Sequence, residues 1–70
     1  MNIRFLHPIE LELIETVDAE GNPDQTSLES FAKNETLEVE LVGENEGKTQ
    51  FQTGDGSVFF IEDDSFEEVE

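Results

Sequence analysis

The chain has no cysteine, no tryptophan and no tyrosine, and only Arg4, Lys33 and Lys48 carry a full positive charge. Each lack excludes something. Without cysteine, neither a disulfide nor a thiolate metal site supplements a small core. Without Tyr or Trp, the ring-lined groove on which proline-rich peptides dock cannot be assembled. Three cations cannot form the basic patch that grips a phosphate backbone, so direct nucleic-acid binding is not expected. No apolar run approaches the ~20 residues of a membrane-spanning helix. The stretch Met1 to Leu6 has no apolar h-region, so the expectation is a cytoplasmic protein without membrane association.

What the chain does have is acid. Nineteen Asp and Glu residues give a formal charge of −16 over 70 residues. A field of that sign repels nucleic acid and anionic lipid and steers cationic surfaces inward, so the expected partner is a basic protein surface. Low hydrophobicity with high charge is also the composition of disorder. Six phenylalanines and a clear period-2 alternation argue for a fold instead. The length allows one domain, residues 1–70, with a marginal core.

The alternation predicts an all-β chain. Ile9, Leu11 and Leu13 alternate with Glu10 and Glu12, and the adjacent pair Leu13-Ile14 predicts a bulge or strong bend. Ala19 to Asp24 is dense in turn formers, and Thr26 to Phe31 returns as the second arm of a long hairpin. Lys33-Asn34-Glu35 reads as a tight turn, with Asn34 suited to a left-handed conformation. Leu37, Val39 and Leu41 alternate with Glu38 and Glu40. Gly43 to Gly47 reads as a flexible acidic connector, and Thr49, Phe51 and Thr53 form the next inward set. Gly54-Asp55-Gly56 predicts a short hairpin. Val58 to Ile61 is apolar on both faces, Glu62 to Ser65 suits one 3₁₀ turn, and Phe66 to Val69 a last strand. The expected interior is Leu11, Leu13, Leu28, Leu37, Val39, Leu41, Phe51, Val58, Phe60 and Phe66, with Phe59 left outside.

Asn34-Glu35-Thr36-Leu37-Glu38-Val39 and Gly54-Asp55-Gly56-Ser57-Val58, with the element order around them, resemble the SH3-like barrel. The likeness is strongest from Phe31 to Val69 and is one of architecture. It implies a single-domain antiparallel barrel of five to six short strands with one 3₁₀ turn, and it implies no activity.

Candidate sites are few. Asp18, Glu20, Asn22, Asp24 and Glu29 fall on calcium-loop spacings, but Pro23 replaces the glycine that the turn needs and no helices flank it. A solvated hairpin tip is the expected state. His7, the single histidine, has no sequence partner for catalysis. Gly54-Asp55-Gly56 lacks the lysine and helix of a phosphate loop. No catalytic, cofactor or metal residues are therefore assigned, and no enzyme is expected. The acidic segment 62–70, with Glu62, Asp63, Asp64, Glu67 and Glu68, and an exposed Phe59 are the candidate partner-binding residues. The expected function is a non-catalytic interaction module engaging a basic partner. The alternative is a phage-type DNA mimic inhibiting a nucleic-acid-binding protein, since duplex DNA carries one charge per ~1.7 Å.

Overall fold

The computed structural model describes residues 1–69. Seven strands follow one another: β1 Asn2–Phe5, β2 Ile9–Val17, β3 Pro23–Phe31, β4 Thr36–Asn45, β5 Lys48–Thr53, β6 Val58–Glu62 and β7 Phe66–Val69. A single 3₁₀ turn, Asp63–Ser65, joins the last two. All pairs are antiparallel, in the order β3-β2-β6-β5-β4-β1-β7. The outermost strands β3 and β7 do not pair, so hydrogen bonding leaves the sheet open rather than closing it as a barrel.

The sheet is nevertheless curled around one core. Ile3, Phe5, Leu11, Leu13, Phe31, Val39, Phe51, Phe59 and Ile61 form one buried cluster, with Ile9, Leu37 and Phe66 packed against it. Phe5 of β1 stacks on Phe31 of β3 with ring centroids 4.6 Å apart, although the two strands stand near opposite ends of the sheet order. Phe51 meets Phe66 edge-on at 5.2 Å and Phe59 at 5.7 Å. Such offset and edge-to-face pairs add to the area that the rings bury.

The strand beyond the expected five or six is β1, whose inward residues Ile3 and Phe5 are fully buried. It lies between β4 and β7, and its four residues are too short a window for the period-2 pattern to stand out. In β2 the irregularity falls at Glu15 and Thr16 rather than at Leu13-Ile14. The acidic connector proves shorter than expected. β4 continues to Asn45, paired with Lys48, so only Glu46 and Gly47 make the turn, at φ of 51° and 81°. Two consecutive positive φ values match the right-handed twist of the flanking strands. Asn34 adopts the expected left-handed conformation at φ 71°.

Three expected core residues are outside. Leu28 is 65% exposed, because β2–β3 register sets it opposite Glu12 on the outer face and sends Ser27 inward, opposite Leu13. Leu41 is 54% exposed although it pairs with Phe51; the bulge at Val42 follows immediately and bends β4 away. Phe60 is 52% exposed and Phe59 0%, the reverse of the expected phase in β6. Leu37, Val58 and Phe66 are half-buried, while Leu11, Leu13, Val39 and Phe51 are buried.

Candidate functional site

Strand β6 presents Phe59 and Ile61 to the core and Val58, Phe60 and Glu62 to the other face. Glu62 carries the missing phase information: a charge at the strand end turns outward, and counting back by two carries Phe60 and Val58 with it. Phe59 is therefore buried and not the exposed ring that was expected. The exposed aromatic is its neighbour.

Phe60 forms a wall shared by two grooves. One, of about 490 Å³, is lined chiefly by Ile14, Val17, Pro23, Val58 and Phe60. The other, of about 170 Å³, runs along Gly43, Glu44, Asn45, Lys48 and Gln50. The first arises because β2 and β6 pair only at Ile14↔Val58, after which β2 passes its bulge and leads out into the long hairpin. Val17 is 59% exposed and Leu28 lies exposed on the same outer face. The outcome is an apolar strip on a strongly acidic body.

The acidic segment is not one surface. Glu62, Asp63 and Asp64 gather with Glu46 around a shallow depression beside Lys48, which is the register partner of Glu62. Asp63 has a structural part: its carboxylate accepts the Thr49 hydroxyl, and its N–H donates to the Gly47 carbonyl at 2.9 Å. Glu67 lies on β7, ion-paired to Arg4. Glu68, opposite Ile3, projects from the other face of the same strand. Glu70 lies outside the described residues.

The calcium-like spacing is occupied by turn chemistry. The Asp18 carboxylate accepts the Glu20 and Asn22 N–H groups, each at 2.9 Å, and so closes the hairpin tip. Asp55 acts similarly, accepting the Thr53 hydroxyl and the Ser57 N–H, and these bonds hold its carboxyl below the ordinary 3.8. Among the described residues, no group of three or more His, Asp or Glu side chains is placed to hold a metal ion.

One pairing was not legible in the sequence. His7 Nε2 lies 3.1 Å from Ser65 Oγ, and its Nδ1 3.0 Å from the Pro8 carbonyl. A carbonyl only accepts, so neutral His7 carries its proton on Nδ1 and takes the Ser65 proton in a hydrogen bond. Ser65 is only 4% exposed, so the pair fastens the 3₁₀ turn to the β1–β2 connection. Among the described residues, no helix is long and apolar enough to cross a membrane.

No protein-family model matches the chain, and no match was found among curated proteins or solved structures.

Proposed function

We propose that this chain is a non-catalytic protein-interaction module of SH3-like architecture, its curled sheet reading as an opened barrel, and that it engages a basic partner. The observation that carries the reading is Phe60, half-exposed between two grooves on a body of net charge −16. Aromatic anchors seated beside grooves are the residues that dominate binding energy at interfaces, while a charged rim sets encounter rate and specificity. Lys33, Lys48 and the paired Arg4 offer little to an acidic partner. A cationic one gains from the acids around the strip.

DNA mimicry is the second reading. Sixteen net charges along a body 36 Å long amount to about one per 2.3 Å, sparser than the ~1.7 Å spacing of duplex. The division of the acidic segment between Lys48, Arg4 and two faces of β7 also favours the interaction module.

The test is affinity capture from source-cell extract, comparing wild type with Phe60→Ala between about 50 and 200 mM salt. Retained proteins should be basic, released as salt rises, and lost with Phe60→Ala while that variant keeps a cooperative urea transition. Retention of no basic protein at low salt, or retention indifferent to Phe60, refutes the reading. Captured proteins that duplex DNA displaces, with Phe60→Ala binding unchanged, would instead point to mimicry.

A further inference from the structure

The two edges of the sheet are not alike. Strand β7 is four residues long and carries Glu67 and Glu68. Strand β3 runs nine residues, among the described residues its only extensive neighbour is β2, and within it only Phe31 is buried and Ser27 half-buried. Edge strands are ordinarily blunted by shortness, lysine, proline or a covering loop. Between Gln25 and Ser30, β3 has a single charge, Glu29.

The backbone there is open. The Gln25 N–H turns inward to Thr16 Oγ1 at 3.2 Å. Alternation along the strand then turns the N–H and C=O groups of Thr26, Leu28 and Ser30 away from β2. The five-residue stretch from Thr26 to Ser30 is thus a hydrogen-bonding template about 17 Å long. Exposed Leu28 lies on one face of it, with Glu10 and Glu12 on the adjoining strand; Glu29 lies on the other face.

The surrounding charge selects the occupant. A second copy would bring another −16 against this edge, whereas cationic side chains gain on both faces of an added strand. We infer that β3 accepts an extended, lysine- or arginine-bearing peptide segment of the partner as an eighth antiparallel strand. This rests on the proposed basic partner and adds where and in what form it docks. Main-chain bonds to Thr26, Leu28 and Ser30 supply the register, and contacts to Leu28 and the flanking acids supply selectivity.

The experiment is a titration of the ¹⁵N-labelled chain with a synthetic nonapeptide alternating lysine and valine, and with the same peptide N-methylated at every backbone amide. The expected result is at least tenfold slower hydrogen exchange at the Thr26, Leu28 and Ser30 amides on saturation, and at least tenfold weaker binding of the N-methylated peptide. Leu28→Pro, which removes an outward N–H and spares the β2 ladder, should abolish binding. If that variant does not fold, the N-methylated peptide still decides the matter. Equal binding of the two peptides, no binding of either, or saturation without slowing at those amides overturns the inference. Shifts confined to Ile14, Val58 and Phe60 would overturn the edge and leave the proposed function standing. That function fails separately, through the Phe60→Ala capture.

Discussion

Phe59 and Phe60 are adjacent, chemically identical and placed oppositely, which makes their truncation a direct test of the phase of β6. Phe59 is 0% exposed and packs on Phe51 at 5.7 Å. Phe59→Ala therefore loses the buried ring and leaves a cavity, at a cost of about 3–5 kcal/mol. Phe60 is 52% exposed. Full burial of a phenylalanine is worth about 1.5–3 kcal/mol, so roughly half of that, near 1 kcal/mol, is at risk in Phe60→Ala. At about 0.05–0.15 kcal/mol per residue, a chain this size holds roughly 3.5–10 kcal/mol in all. Phe59→Ala should lower the urea midpoint by about 3 M or more, and at the low end of that range leave the chain largely unfolded without denaturant, whereas Phe60→Ala should keep a cooperative transition. Urea denaturation followed by far-ultraviolet circular dichroism reads both. With a slope of about 1 kcal/mol per molar urea, the Phe60→Ala midpoint should fall by about 1 M or less. Equal destabilisation by the two substitutions, or a larger effect at Phe60, would refute the assignment of faces and the exposed anchor with it.

Gly56 closes the β5–β6 hairpin at φ 95°, with the N–H of Gly56 on the Thr53 carbonyl at 3.1 Å; Gly56→Ala should cost about 1 kcal/mol or more through backbone strain alone, read as a lowered urea midpoint. The Asp55 carboxyl is held low first by the Thr53 hydroxyl and then by the Ser57 N–H. A folded value below the unfolded one adds stability that is present above the ordinary 3.8 and is lost as pH falls through the folded value. Asp55→Asn should remove that part of the acid-side loss in melts taken through the acid range, and an Asp55 carboxyl titrating at or above 3.8 by NMR would contradict it. Melting temperature should rise with sodium chloride up to about 0.1 M, where charges beyond ~10 Å are screened, because repulsion among nineteen acids opposes compaction. The exposed Arg4–Glu67 pair adds about 0–1 kcal/mol at most and weakens in salt, so a melting temperature that falls instead would show local pairs outweighing the global field.

Period-2 spacing determined by itself that the chain is all-β, because apolar residues two apart share one face of a strand whatever it packs against. The turn at Asn34, the hairpin at Gly54 to Gly56 and the 3₁₀ turn after Glu62 were legible for the same local reason: backbone conformations that few residue types tolerate announce themselves. The inward set of Leu11, Leu13 and Val39 followed from acids on the opposite face, and that of Phe51 from the glutamines on either side of it. Tertiary structure alone decided the rest. Alternation separates two faces and does not say how far the core extends beneath each, so Leu28 on the projecting hairpin and Leu41 beside a bulge stayed outside. In Val58 to Ile61 neither face is polar; only Glu62 beyond the run hinted at the phase, and packing of Phe59 on Phe51 settled it. The acidic segment read as one cluster because its residues are close in sequence, yet a strand turns successive side chains to opposite faces, and Arg4, Thr49 and Lys48 were brought to parts of it by long-range pairing. The bare edge of β3 is likewise a property of strand order, which depends on which strands meet across the core and is written in no single segment.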